Sequence, residues 1–190
     1  MNLMTVAVAG VIFMVSLGSA SAESTTRPPL RTVDTLDISR YSGTWYEIAR
    51  YSNRFQRDCH SDTTAVYTLR KDGKVQVVNS CRQKDGKTKT ARGTAKIADK
   101  TTNAKLRVTF FWPFYGDYWV IGLDSDYRYA IVGEPKRKYL WILSRTPEMD
   151  EATYHAIVEQ IREAGYDPDK LIKTHQSPRN GQPAASSLSN

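Results

Sequence analysis

Tyr41-Ser-Gly-Thr-Trp-Tyr-Glu-Ile-Ala-Arg-Tyr51 is the stretch whose reading decides the fold. Gly43 lets the backbone kink without a Cβ clash. From Trp45 the residues favour a strand, and alternation puts Trp45, Glu47, Ala49 and Tyr51 on one face. A Trp that begins a strand two residues after a Gly can plug the end of a small barrel. It can equally be a core Trp of any β domain, so the neighbouring sequence has to decide.

Downstream, strand patterns recur at short, regular spacing, as in an all-β sandwich or barrel. Residues 63–70 and 74–82 flank Lys71-Asp-Gly73, and Asp85-Gly86 marks the next turn. Asp-Gly between alternating runs is a strong hairpin signal. In residues 88–99, Ala91, Gly93, Ala95 and Ile97 alternate with Arg92, Thr94 and Lys96. In residues 104–111, Leu106, Val108 and Phe110 alternate with Lys105, Arg107 and Thr109. One apolar face and one basic, wet face is half-buried antiparallel patterning. Trp112-Pro-Phe-Tyr-Gly116 interrupts it, and residues 117–124, 127–133 and 139–145 give three more strands. With the opening strand, eight are expected. Asp150 is then a candidate helix N-cap. Tyr154, Ile157, Val158 and Ile161 follow at helical spacing, and Gly165 suits the position after the helix end. Residues 170–175 can add one short strand.

The chain has 190 residues and a net charge of +7, which bounds it to one domain with tails. Residues 1–22 read as a secretory signal peptide: an apolar core from Val6 to Leu17, then the small-x-small site Ala20-Ser21-Ala22. Residues 23–35 read as an extended arm, 36–176 as the folded domain and 177–190 as a disordered tail. The first cysteine is Cys59, so no Cys stands at the cleavage site to carry a lipid anchor. The expectation is an exported protein, periplasmic or secreted, associated with an outer membrane at most without that anchor. Export also disfavours a nucleic-acid partner for the basic excess. The alternatives are peripheral contact with an anionic membrane surface, or a merely soluble surface.

Cys59 and Cys81 are the only cysteines. They are either two buried thiols or a disulfide, which export permits. The register of the Asp72-Gly73 hairpin brings them near each other across its open end, which favours the bridge. Closing such a loop contributes roughly 3 kcal/mol in the chain-entropy view.

Eight antiparallel strands followed by one helix suit an up-and-down barrel around one small-ligand site. Over residues 36–176 the chain resembles the lipocalin family. Gly43 and Trp45 match the Gly-x-Trp motif. Ser125-Asp126-Tyr127 matches the turn between the sixth and seventh strands, with Ser for Thr. Arg145, at the end of the last barrel strand, matches the Arg that stacks on that Trp. The wording of 111–116 and 139–147 is closest to the bacterial outer-membrane lipocalins and the apolipoprotein D-like lipocalins. The resemblance implies binding of a fatty acid or lysophospholipid, stored or carried for membrane upkeep under stress. It gives Gly43, Trp45, Asp126, Tyr127 and Arg145 structural roles.

Strand parity supplies an expected inner lining. It comprises Ala49 and Tyr51; Ala65 and Tyr67; Val77 and Asn79; Ala91, Gly93 and Ala95; Val108 and Phe110; Tyr118 and Val120; Tyr129 and Ile131; and Trp141. Small residues beside aromatic ones favour a cavity over a filled core, although each position could be plain packing. No metal-ligand spacing links His60, His155 and His175. No nucleophile elbow or phosphate loop occurs. A non-enzymatic carrier without a cofactor is expected, either monomeric or dimeric. Haem or another pigment is an alternative cargo, and a thiol-dependent isomerase is a further alternative that requires Cys81 to be free. Thiol titration of unreduced, denatured protein is expected to find no free thiol; two would restore the isomerase reading.

Overall fold

The computed structural model describes residues 27–178; the expected signal peptide and most of the expected tail lie outside the described residues. A short helix α1 (Ile38–Tyr41) leads into strand β1 (Gly43–Tyr51). There follow β2 (Ser61–Leu69), β3 (Val75–Arg82), β4 (Thr88–Ile97), β5 (Lys105–Phe111), β6 (Phe114–Leu123), β7 (Tyr129–Gly133) and β8 (Leu140–Ser144). Helix α2 (Glu151–Glu163) and a last strand β9 (Leu171–Lys173) complete the order. The pairing runs β2-β3-β4-β5-β6-β7-β8-β1-β9, and β1 also pairs with β2. That last pairing closes eight antiparallel strands into a barrel. The expected fold class and the extra short strand are both present.

Only the first half of β1 meets β2, through Gly43↔Tyr67 to Tyr46↔Thr64. The second half pairs with β9 instead, from Ala49↔Lys173 to Tyr51↔Leu171. The Asp62 amide donates to His175 O, and the Gln176 side chain donates to Glu47 O and Thr63 O. The C-terminal segment thus fills the cleft where β1 and β2 part. Ser177, the first residue of the expected tail, is also held, its amide and hydroxyl donating to the Asp62 carboxylate. The expected arm is also tied down from residue 30 onward. Leu30 is buried, the Val33 amide donates to Val120 O and the Leu36 amide donates to Thr102 O.

Two apolar clusters sit on opposite sides of the barrel wall. The inner one runs from Trp45, Tyr67 and Val77 to Val120, Val132 and Leu143. The outer one joins Ile48, Ala49, Ile131, Leu140 and Ile142 to Ile157 and Ile161 of α2. Helix α2 starts where expected, with the Asp150 carboxylate accepting from the Thr153 amide, and ends before Gly165 at φ +80°.

Trp45 is fully buried at one end of the barrel, its indole N–H donating to Tyr41 O at 2.8 Å. The Arg145 guanidinium lies 3.8 Å above the Trp45 ring. It donates to Thr44 O, Arg40 O and Tyr127 O. Gly43, at φ +100°, leaves room for it, since a Cβ there would stand 3.3 Å from Arg145 Nη1. The Tyr127 hydroxyl accepts from the Asp37 amide, and Arg40 lies over the Tyr127 ring. The motif turn differs from expectation in one respect. The carboxylate that organises it belongs to Asp124, which is buried and accepts from the amides of Asp126 and Arg128 and from the Arg128 guanidinium. Asp126 is exposed and contributes its amide.

At the other end, Cys59 and Cys81 form a disulfide with Cα atoms 5.5 Å apart. It ties the β1–β2 loop to β3. With both cysteines of the chain in the bridge, no thiol remains for the isomerase alternative.

Trp45→Ala is expected to destabilise by about 3–5 kcal/mol, as for other large buried aromatics. A double-mutant cycle with Arg145→Ala should show a coupling of roughly 1–2 kcal/mol by urea denaturation, the scale of a partly desolvated cation on an indole. The Arg128 guanidinium beside Asp124 lowers that carboxyl's pKa from 3.8 to about 2. Its stabilisation is therefore complete above the unfolded value and is lost as pH falls toward the folded one. Between about pH 5 and pH 2, wild type should lose more stability than Asp124→Asn. Equal losses would remove this role.

Candidate functional site

The barrel interior is built upward from the Trp45 floor. The Tyr41 ring packs 5.0 Å from Trp45 and 5.4 Å from Tyr67, and Tyr67 packs 6.0 Å from Tyr118. The Tyr118 hydroxyl bonds those of Tyr41 at 2.7 Å and Tyr67 at 2.9 Å. Burial raises the pKa of all three, that of Tyr67 to about 12, so they are neutral donors and acceptors. Three hydroxyl protons serve two bonds in this row, so one O–H can donate elsewhere.

Of the expected lining, Ala65, Tyr67, Val77, Ala95 and Val120 are buried in this inner cluster, and Val108, Tyr118 and Trp141 pack against it. Asn79 lies two residues beyond Val77 on β3, level with Ala65 of β2 and Ala91 of β4. Its Oδ1 is buried and has no hydrogen-bond partner. A buried amide oxygen without a donor costs free energy unless something supplies one. Phe110 packs against Gly93, where a Cβ would come within 2.8 Å of its ring. Ala91 and Phe110 are exposed toward the mouth, so they edge the interior rather than line it.

Four expected lining residues are elsewhere. Ala49, Tyr51, Tyr129 and Ile131 belong to the outer cluster under α2. On β1 the cause is a register shift between Glu47 and Ala49 in the pairing with β8, a bulge that turns the following side chains to the other face. On β7 both faces are covered, so alternation carries no sign of which points inward. There Ala130 and Val132 face the interior. Tyr51 instead edges an outer depression of about 420 Å³ with Arg137 and Tyr166.

A polar cluster that strand patterning does not single out lies at the seam between β1 and β9. Glu47 is 3% exposed. Its carboxylate accepts from Thr174 Oγ1 and Gln56 Nε2, both at 2.6 Å, and pairs with Arg50 at 3.2 Å. Gln56 Oε1 in turn accepts from Trp141 Nε1 and Asn53 Nδ2. Burial raises the Glu47 pKa, and the bonds from Thr174 and Gln56 and the Arg50 charge oppose that. A lone Glu in an apolar strand was a readable signal. Gln56, in a polar loop, was not.

His60, His155 and His175 are all exposed. Among the described residues, no group of three or more His, Cys, Asp or Glu side chains could hold a metal ion. Chemically the site offers an apolar, aromatic wall, neutral hydroxyls near the floor and an unpaired amide oxygen higher up.

The profile of the lipocalin-like domain family matches residues 36–176. Temperature-induced lipocalin-1 of Arabidopsis thaliana is 45% identical over 80% of this chain and 86% of its own length. Outer membrane lipoprotein Blc of Escherichia coli strain K12 is 42% identical over 80% and 88%. Among solved structures, insecticyanin from the tobacco hornworm Manduca sexta superposes with a TM-score of 0.66 at 24% identity, covering 79% of this chain and 86% of its own. A barrel closed by Arg145 on Trp45, the helix against its outer wall and these matches have one reading: the chain belongs to the lipocalins, carriers of small hydrophobic ligands.

Proposed function

We propose that this lipocalin binds a fatty acid or lysophospholipid, with the acyl chain in the barrel and the head group toward the mouth, as an exported carrier that serves membrane upkeep under stress. The observation that carries the reading is the graded interior. A sealed aromatic floor leads to aliphatic walls at Val77 and Val108, then to the unpartnered Asn79 Oδ1 beside the small residues Ala65 and Ala91. An acyl chain satisfies the apolar wall, and a head-group hydroxyl or amine satisfies the amide oxygen. The names of relatives support the lipid and membrane association: outer membrane lipoprotein Blc, and apolipoprotein D of Bos taurus at 29% identity. The stress role draws support from the temperature-induced lipocalin. With no inward-facing His in the described barrel, a haem would lack its usual nitrogen ligand.

Burying about ten methylenes at about 0.8 kcal/mol each gives roughly 8 kcal/mol. That is the scale of micromolar affinity before association costs. Titration with lysophospholipid is expected to quench tryptophan fluorescence with a micromolar or tighter midpoint. Native mass spectrometry after purification from a membrane-rich source is expected to show bound lipid. Absence of both would overturn the reading. Ala65→Phe, which fills the level of Asn79, should weaken binding about tenfold or more while leaving the far-UV spectrum unchanged. Should that variant misfold, Asn79→Leu tests the same level, with an expected loss of preference between head groups.

A further inference from the structure

We propose that the tip of the β5–β6 hairpin docks the barrel, mouth first, on an anionic lipid surface. Seven large apolar side chains are exposed among the described residues, and five of them stand at the open end. They are Phe55 at 57%, Phe110 at 43%, Phe111 at 75%, Trp112 at 78% and Phe114 at 71%. Four belong to one hairpin, where Phe111 and Phe114 stack on each other with planes 7° apart. The opposite end of the barrel carries its aromatics buried, as Trp45, Tyr41 and Tyr127. An exposed apolar group on this scale, confined to one end, marks an interaction surface. Trp and Phe are residue types that sit well at the boundary between head groups and acyl chains.

The charges choose the partner. Each acid of the mouth loops is already engaged. Asp58 pairs with Lys89, Asp85 with Lys87, and Glu134 accepts from the amides of Lys136, Lys138 and Tyr139. The exposed side chains of Arg57, Lys84, Lys136 and Lys138 have no ion-pair partner among the described residues. Beside the aromatic tip, Arg92 lines a depression of about 290 Å³ with Phe110, Phe111, Trp112 and Arg70, the last paired with Asp72. The Arg92 side chain is also unpaired among the described residues. Guanidinium groups next to exposed rings fit a phosphate bordering acyl chains. A second copy of the chain would bring like charges together, so complementarity selects the anionic surface. Docked in this way, the mouth faces the bilayer, and a lipid passes between the two with little exposure to water. The docking surface does not depend on what the barrel holds.

The test is flotation of the full chain with vesicles of phosphatidylcholine alone or with about one third phosphatidylglycerol, at about 0.05 M and 0.5 M salt. The expected result is partitioning to the anionic vesicles that weakens with salt and is absent on neutral ones. Trp112→Ser with Phe114→Ser should reduce that partitioning about tenfold or more, with thermal midpoint and lysophospholipid titration in solution unchanged. Arg92→Glu with Lys84→Glu should do the same through charge alone. Three outcomes would overturn the proposal. One is a wild type that ignores anionic vesicles. Another is an aromatic variant that floats as well as wild type. The third is sedimentation showing that the aromatic pair holds two copies together without any vesicle binding.

Discussion

The Arg145 guanidinium on the Trp45 indole holds the closed end together. Three backbone carbonyls from three parts of the chain converge on it: Thr44 at the start of β1, Arg40 in α1 and Tyr127 before β7. Its own pKa is lowered by burial, and it stays charged because an arginine's pKa is so high. A cation there satisfies several orphan carbonyls at once and covers the ring face. That arrangement sets the direction of the whole barrel: whatever enters does so at the far end. It also explains Gly43, whose missing Cβ leaves space for the guanidinium.

The wall of the barrel does two jobs in different places. Along β4 and β5 it separates interior from water, with Arg92, Lys96 and Arg107 outside. Along β1, β7 and β8 it separates interior from helix, with Ile131, Leu140 and Ile142 packed under Ile157 and Ile161. The helix thus packs this part of the barrel wall on its outer face as well. The other half, next to the aromatic hairpin, is backed by solvent.

That division also decides what could be read from the sequence. Where one face is wet, alternation is legible, and Ala65, Val77, Ala95 and Val108 lie in or against the inner cluster. Where both faces are apolar, parity had no reference, and Tyr129 and Ile131 were assigned inward against the structure. The bulge after Glu47 reversed Ala49 and Tyr51, and a one-residue irregularity leaves no trace in composition. Trp45, Arg145 and the Cys59–Cys81 bridge were legible because each rests on a residue type with few alternative uses. Asp124 was missed beside Asp126 because two nearby acids look alike until a turn chooses between them. Gln56 was invisible, since long-range polar contacts have no local signature.

The segment from Leu171 to Gln176 has a consequence for the order of assembly. There the Thr174 amide donates to the Ile48 carbonyl, His175 O accepts from the Asp62 amide, and the Thr174 hydroxyl joins Arg50 on one oxygen of Glu47. On a ribosome these residues emerge more than a hundred positions after the strands they join. Until then the upper edge of β1 and its buried carboxylate stand open to water. The eight-stranded wall can form early, but its seam closes only when the last strand of the domain arrives.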